Sequence, residues 1–311
     1  MKEIDQKHNK VLIISDLHGL MQEFLEFLQY IKETYNDTIA YAIHLGDFWK
    51  GRNVINGVKT YNFCKDPSIL KDLPFILFLL KGNEDINIPE SFYHVDNLFV
   101  LPHLEIFYLN GFKTIPIHYF ENTKKQLKLL GIEKIVRLPR NKVKNINKRN
   151  DNKFKPLFDY ITKSNNNSNQ NQIQNIFNDP IPIDFILTHI PPFGLLNKTR
   201  DAITHNEIRF TGNRLVRLII DKRRPKIVFF GHNHHMNYLK FEDMLIIALD
   251  KLVRKSSEIK YIEKVRKSND IEKNLFNYVI IEQCAKTTLV KMVKLNRLIA
   301  TYDLKSQQII K

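Results

Sequence analysis

Five short apolar runs along the chain each end abruptly in a polar cluster: VLIIS into Asp16, YAIHL into Gly46, FILFLL into Lys81, DFILT into His189 and KIVFF into Gly231. Short continuous apolar runs bounded by such punctuation predict buried strands. Between the first two, LMQEFLEFLQYIKE sets Leu20, Phe24, Phe27 and Ile31 at helical spacing, which predicts an amphipathic helix packed on a sheet. Strand, helix, strand in this order is a βαβ rhythm. Open α/β sheets gather functional residues just past the carboxyl ends of their strands, which is where the polar clusters fall.

Further along the pattern changes. NLFVLPHLEIFYLNGFKTIPIHYF, residues 97–120, predicts a β-meander turning at Asn110 and Gly111. Beyond the histidine-rich cluster, MLIIALD, NYVIIEQ and TTLVKMV predict strands, and SSEIKYIEKVRKSNDIEK an exposed helical insertion. SNNNSNQNQIQN, residues 164–175, is Asn, Gln or Ser at every position but Ile173 and is a disordered loop by composition. The expectation is a single domain over residues 1–311. It carries a basic insertion with the Asn/Gln-rich loop at about 121–178, and a second basic insertion at about 251–275.

Composition excludes several classes. No run approaches the apolar length of a membrane span, and MKEIDQKHNK has no apolar core of a secretory signal. Cys64 and Cys284 give neither a disulfide framework nor a thiolate pair, so a cytoplasmic location is expected. The net charge of +15 is concentrated: residues 122–163 hold 13 Lys and Arg against 3 Asp and Glu, and residues 251–311 hold 14 against 6. The rest of the chain is therefore mildly acidic. The two basic segments are either a solvated surface or a surface for nucleic acid or another polyanion.

The chemistry-bearing residues all lie just past strands: Asp16 and His18 in SDLHG, Asp47 in LGDFW, Asn83 in KGNED, His189 in LTHIPP, and His232 and His234 in GHNH. In near-extended chain, residues two apart share a side, so His232 and His234 would face one point and Asn233 and His235 elsewhere. Singly, each of these groups is explained as a cap or a turn residue. Together, two aspartates, an amide oxygen and histidines compose the ligand set of a dinuclear hydrolase.

The ordered set D-x-H, GD, GN, H and GHxH, from Val11 to Asp250, resembles the calcineurin-like metallophosphoesterase superfamily, and THIPPFG and TGNRLVRLIIDKRRPKIVFFGHNH are most similar to its small predicted phosphoesterases. The resemblance implies an α/β fold of two facing mixed β-sheets flanked by helices. It also implies two divalent cations, Mn²⁺ first with Fe or Zn²⁺ as alternatives. One would be held by Asp16, His18, Asp47 and His234, the other by Asp47, Asn83, His189 and His232, with Asp47 as the bridge. His44 and Asp85 would support the ligands from behind. The implied reaction is in-line attack by a metal-bridging hydroxide on a phosphodiester or phosphomonoester, the diester favoured. Many relatives continue GN with a histidine that helps the leaving group. Here Glu84 stands in its place, and a carboxylate beside cations and an anionic substrate is a poor proton donor. The alternative is a non-catalytic metal-binding or protein-interaction module, since the retromer subunit of this fold also lacks that histidine.

Overall fold

The computed structural model describes residues 9–36, 38–55, 58–64, 67–71, 73–85, 91–92, 95–109, 111–119, 176, 178–196, 198–200, 208–210, 212–255 and 274–310. The basic segment with its Asn/Gln-rich loop, and the expected helix after Lys255, lie outside these residues. The elements in chain order are β1 (Lys10–Ile14), α1 (Met21–Tyr35), β2 (Ile39–His44), β3 (Lys50–Ile55), β4 (Val58–Phe63), β5 (Ile76–Leu79), β6 (Leu98–Val100), β7 (Phe107–Leu109), β8 (Phe112–Ile117) and β9 (Phe185–Thr188). They continue with β10 (Lys198–Arg200), β11 (Ile208–Phe210), α2 (Arg214–Arg223), β12 (Ile227–Phe230), β13 (Asn237–Phe241), β14 (Met244–Ala248), β15 (Val253–Lys255), β16 (Asn274–Phe276), β17 (Tyr278–Gln283), β18 (Thr288–Lys294), β19 (Arg297–Asp303) and β20 (Gln308–Ile309).

Two large mixed sheets result. One runs β20-β19-β18-β17-β1-β2-β5-β6, parallel from β1 to β6 and antiparallel elsewhere; the other runs β13-β14-β12-β9-β8-β7, parallel from β14 through β8. The alternation of side chains along β1 divides the layers. Leu12 and Ile14 pack towards α1 with Phe24 and Phe27, whereas Val11 and Ile13 pack between the sheets. β12 does the same from the other side: Val228 and Phe230 meet Val216 and Ile220 of α2, and Ile227 and Phe229 face the opposite sheet. Because both faces of these strands are covered, their sequences are unbroken apolar runs. Phe185 and Phe229 meet edge to face at 5.7 Å in the layer between the sheets. Truncating Phe229, which is fully buried, to alanine would cost about 3–5 kcal/mol.

α1 buries Phe24, Phe27 and Ile31 as predicted, with Met21 and Leu28 beside them, whereas Leu20 precedes the helix and is half-buried; the helix ends at Asn36 in a left-handed conformation. α2 begins on Asn213, whose side-chain oxygen accepts from Leu215 N at 2.9 Å and Val216 N at 3.1 Å. Of the meander expected over residues 97–120, the hairpin that turns before Phe112 is present and the placement of β6 is corrected. β6 pairs parallel with β5 in the first sheet, while β7 and β8 form an antiparallel hairpin in the second. Among the described residues, no helix is long and apolar enough to cross a membrane.

Candidate metal centre

The carboxyl ends of β1, β2, β5, β9 and β12 deliver the five polar clusters to one place. The backbone there is unusual. Asp16 (φ 54°), His18 (56°), Asp47 (57°), His232 (69°) and His234 (49°) are all left-handed. Non-glycine residues held there store about 1–3 kcal/mol each, and the surroundings must impose it. They do so through Asp16 N–H to Gly46 O at 3.1 Å, His18 N–H to Asp47 O at 2.7 Å, and His232 N–H to Asp16 Oδ2 at 3.0 Å. Close approach also requires two glycines. A Cβ on Gly82 would lie 2.2 Å from Asp47 Oδ1, and one on Gly231 would lie 1.9 Å from Ser15 Oγ.

Two groups of side chains form. Asp16, His18 and His234 offer ligand atoms within 4.8 Å of one another, and so do Asp47, His189 and His232. In the first, His18 Nε2 and His234 Nε2 approach to 2.9 Å, and His234 Nε2 lies 3.2 Å from Asp16 Oδ1. In the second, His189 Nε2 lies 3.4 Å from Asp47 Oδ2, and Asn83 Oδ1 sits 3.0 Å from His189 Nε2 and 2.9 Å from His232 Nδ1. Asp47 Oδ2 also lies 4.0 Å from His18 Nδ1, the ring nitrogen other than the one that meets His234, so its carboxylate stands beside the first group as well. The left-handed turns at His232 and His234 thus aim neighbouring imidazoles at different groups. The shared point expected from an extended chain is corrected, because the chain is not extended there.

The donor set fits cations. His189 Nδ1 lies 2.9 Å from Leu45 O, which only accepts, so this nitrogen carries the proton and Nε2 is left to face Asn83 Oδ1 and Asp47 Oδ2. Acceptors gathered in this way repel unless a positive charge stands among them. A proton supplies part of it: burial pulls His189 down, but Asp47 by charge and hydrogen bond, and then Asp16, push it up to about 9. Burial would raise Asp16, yet His234 by hydrogen bond and charge, with His189 and His18, holds it well below the usual carboxylate range. Asp47 is likewise lowered against burial, chiefly by His189. Burial, together with a neighbouring histidine, pushes His18 and His232 down to about 4, leaving neutral imidazoles able to ligate.

Behind these groups, Asp85 is fully buried and accepts from Phe48 N at 2.9 Å, Trp49 N at 3.1 Å and Gly82 N at 2.9 Å, which ties the Asp47 and Asn83 loops together. His44, also fully buried, accepts from Gly46 N at 3.2 Å and is pushed by burial down to about 3. Glu84 N–H donates to Asp47 Oδ1 at 2.8 Å, while its carboxylate accepts from Asn83 Nδ2 at 3.2 Å. Every site residue singled out from the sequence therefore lies in or directly against this centre. Sequence reasoning missed Ser15, whose hydroxyl donates to Asp16 Oδ2 at 2.5 Å, and Arg254, which donates to His234 O at 2.8 Å.

The family model of the calcineurin-like phosphoesterases matches residues 9–236, which include every ligand candidate. The chain belongs to this family. The family uses divalent metals, and the α/β sandwich described above is its fold. Solved structures similar to this chain include GAP50 of Plasmodium, an anchor in the inner membrane complex (13% identity, 95% of this chain and 88% of that one, TM-score 0.46). A novel archaeal phosphodiesterase (12%, 91% and 99%, TM-score 0.36) and the phosphopantetheinyl hydrolase of Mycobacterium tuberculosis (10%, 84% and 94%, TM-score 0.38) are also similar. No curated protein matches the chain in sequence.

Proposed function

We propose that this chain is a dinuclear, divalent-metal-dependent phosphoesterase that favours phosphodiesters with good leaving groups. The observation that carries the proposal is the placement of Asp47, whose carboxylate lies 3.4 Å from His189 and 4.0 Å from His18, between the two groups. In it, Asp16, His18, Asp47 and His234 hold one cation, and Asp47, Asn83, His189 and His232 the other. The mixed oxygen and nitrogen set suits Mn²⁺ first, with Fe and Zn²⁺ as alternatives. When bound, two such cations supply a nucleophile near neutral pH and neutralise phosphate charge.

The chain's own residues do the rest. The two aspartates stay charged despite burial, and His189 is held in one tautomer by Leu45 O. Asp85 fixes the spacing of the Asp47 and Asn83 loops. At position 84, where many relatives place a proton-donating histidine, the carboxylate accepts from Asn83 instead. Protonation of the leaving oxygen by such a group is worth about 10²- to 10⁴-fold, so esters whose leaving groups depart unprotonated are favoured. The same substitution supports a second reading, a non-catalytic module that binds metal or protein.

The test is turnover of matched aryl and alkyl phosphodiesters and monoesters by purified protein loaded with Mn²⁺, beside metal-free protein. Metal-dependent hydrolysis of aryl diesters ahead of monoesters is expected. Two bound metals with no turnover of any ester would select the non-catalytic reading.

A further inference from the structure

Beyond the residues matched by the family model, β14 runs parallel to β12 with Ala248 opposite Phe230. The chain leaving β14 therefore emerges beside the GHNH loop, where Leu249 N–H donates to Phe230 O at 2.7 Å. Leu252 N–H then donates to Ser15 O at 2.9 Å, which pins the same segment to the loop carrying Asp16. From β15, Arg254 reaches back. Its Nη2 donates to His234 O at 2.8 Å and to Asp250 Oδ1 at 2.5 Å, and its Nε donates to Asp250 Oδ1 at 3.2 Å. Asp250 is 6% exposed and also accepts from Lys251 N at 2.7 Å.

We propose that Arg254, held by Asp250, is a positioning residue for the metal position formed by Asp16, His18 and His234. The inference rests on the dinuclear reading given above. His234 is left-handed, so the direction of its Cβ depends on a peptide plane that its own preferences do not fix. A charged donor on the carbonyl holds that plane, and such bonds are about twice as strong as neutral ones. The planar fork of arginine joins carbonyl and carboxylate at once, whereas a lysine ammonium is a point charge on a flexible stem. Asp250 offsets the guanidinium charge, so the clamp orients His234 with little net repulsion of a cation beside it. His232 is held differently, by its own N–H donating to the Asp16 carboxylate. Because the clamp closes on the His234 carbonyl, its loss should weaken one cation and spare the other.

Stepwise Mn²⁺ affinities, measured calorimetrically on the full chain for wild type, Arg254→Met, Arg254→Lys, Asp250→Asn and His18→Ala, test this. Loss of a group that orients a ligand typically costs about 10- to 100-fold in affinity. Arg254→Met should lose that much at one step only, Asp250→Asn should move the same step, and Arg254→Lys should restore little. Added to His18→Ala, Arg254→Met should cause no further loss, because both act on one position. Unchanged affinities in Arg254→Met, equal weakening of both steps, or additive losses with His18→Ala would each overturn the proposal. If Arg254→Met does not fold, Arg254→Lys is read against the same outcomes. Fewer than two metals on the wild type would instead defeat the dinuclear reading itself.

Discussion

Glu84 turns the side chain of Asn83: Asn83 Nδ2 donates to Glu84 Oε1 at 3.2 Å, which leaves Asn83 Oδ1 facing His189 Nε2 at 3.0 Å and His232 Nδ1 at 2.9 Å. An amide presents an acceptor on one side and a donor on the other, so its orientation decides whether Asn83 can ligate at all. Glu84→Gln keeps an acceptor and should keep metal affinity near wild type. Glu84→Leu frees the amide to turn and should weaken the Asp47–His189–His232 position about 10-fold or more. Calorimetric titration of both variants checks this; equal losses in the two would show that charge, and not the acceptor, matters.

The residue at position 84 also sets a kinetic expectation. With no imidazole there, the rate should depend steeply on the leaving group, and alkyl diesters should lag aryl ones by more than their intrinsic reactivity requires. Measuring kcat across a matched ester series for wild type and Glu84→Gln should give parallel, steep dependences. A shallow dependence would mean that another group on the chain donates the proton.

Asp85 accepts from three backbone N–H groups through both of its oxygens. Asp85→Asn would place an amide NH₂ against one of them and leave a buried donor without an acceptor, at a cost of about 1–3 kcal/mol. Thermal unfolding of the metal-free protein should fall accordingly. Unchanged stability would mean that these loops keep their spacing without it.

His118 and His103 stand side by side, both half-buried, the backbone N–H of His118 donating to His103 Nδ1 at 3.0 Å, and desolvation pushes both imidazoles down to about 4. Between that value and the ordinary 6.5, the unfolded chain binds a proton at each histidine and the native one does not. Stability therefore rises with pH across this window, by about 1.4 kcal/mol per pH unit for each histidine, and is lost as pH falls through it. His118→Phe removes one such group, so its stability curve from pH 4 to 6.5 should be flatter than wild type by about that slope. Parallel curves in urea unfolding would contradict the assignment.

Much of this centre could be read from sequence because β1, β9 and β12 are buried on both faces, and β2 and β5, although partly open, are still apolar runs. β1, β2, β5, β9 and β12 are continuous apolar runs, and the residues just past such runs in a parallel sheet land at one edge. α1 was legible from the spacing of Phe24, Phe27 and Ile31. The sheet joined by β6 was not, because Leu98–Val100 has the same local pattern whichever partner it takes, and pairing is a long-range choice. The β3–β4 hairpin has no continuous apolar run, although the turn dipeptide Asn56-Gly57 signals it. The left-handed backbone at His232 and His234 is imposed by contacts with Asp16 and Arg254, residues far away in the chain, so no local rule could show it.

The most direct test of a dinuclear centre bridged by Asp47 is metal content per chain in purified wild type, Asp47→Asn and His18→Ala, measured by mass spectrometry of the metals beside turnover of an aryl diester. Wild type should carry two divalent ions. His18→Ala should lose one of them, and Asp47→Asn, which withdraws charge from the only ligand shared by both positions, should lose occupancy at both together with most activity. Full dinuclear occupancy in Asp47→Asn would contradict the account.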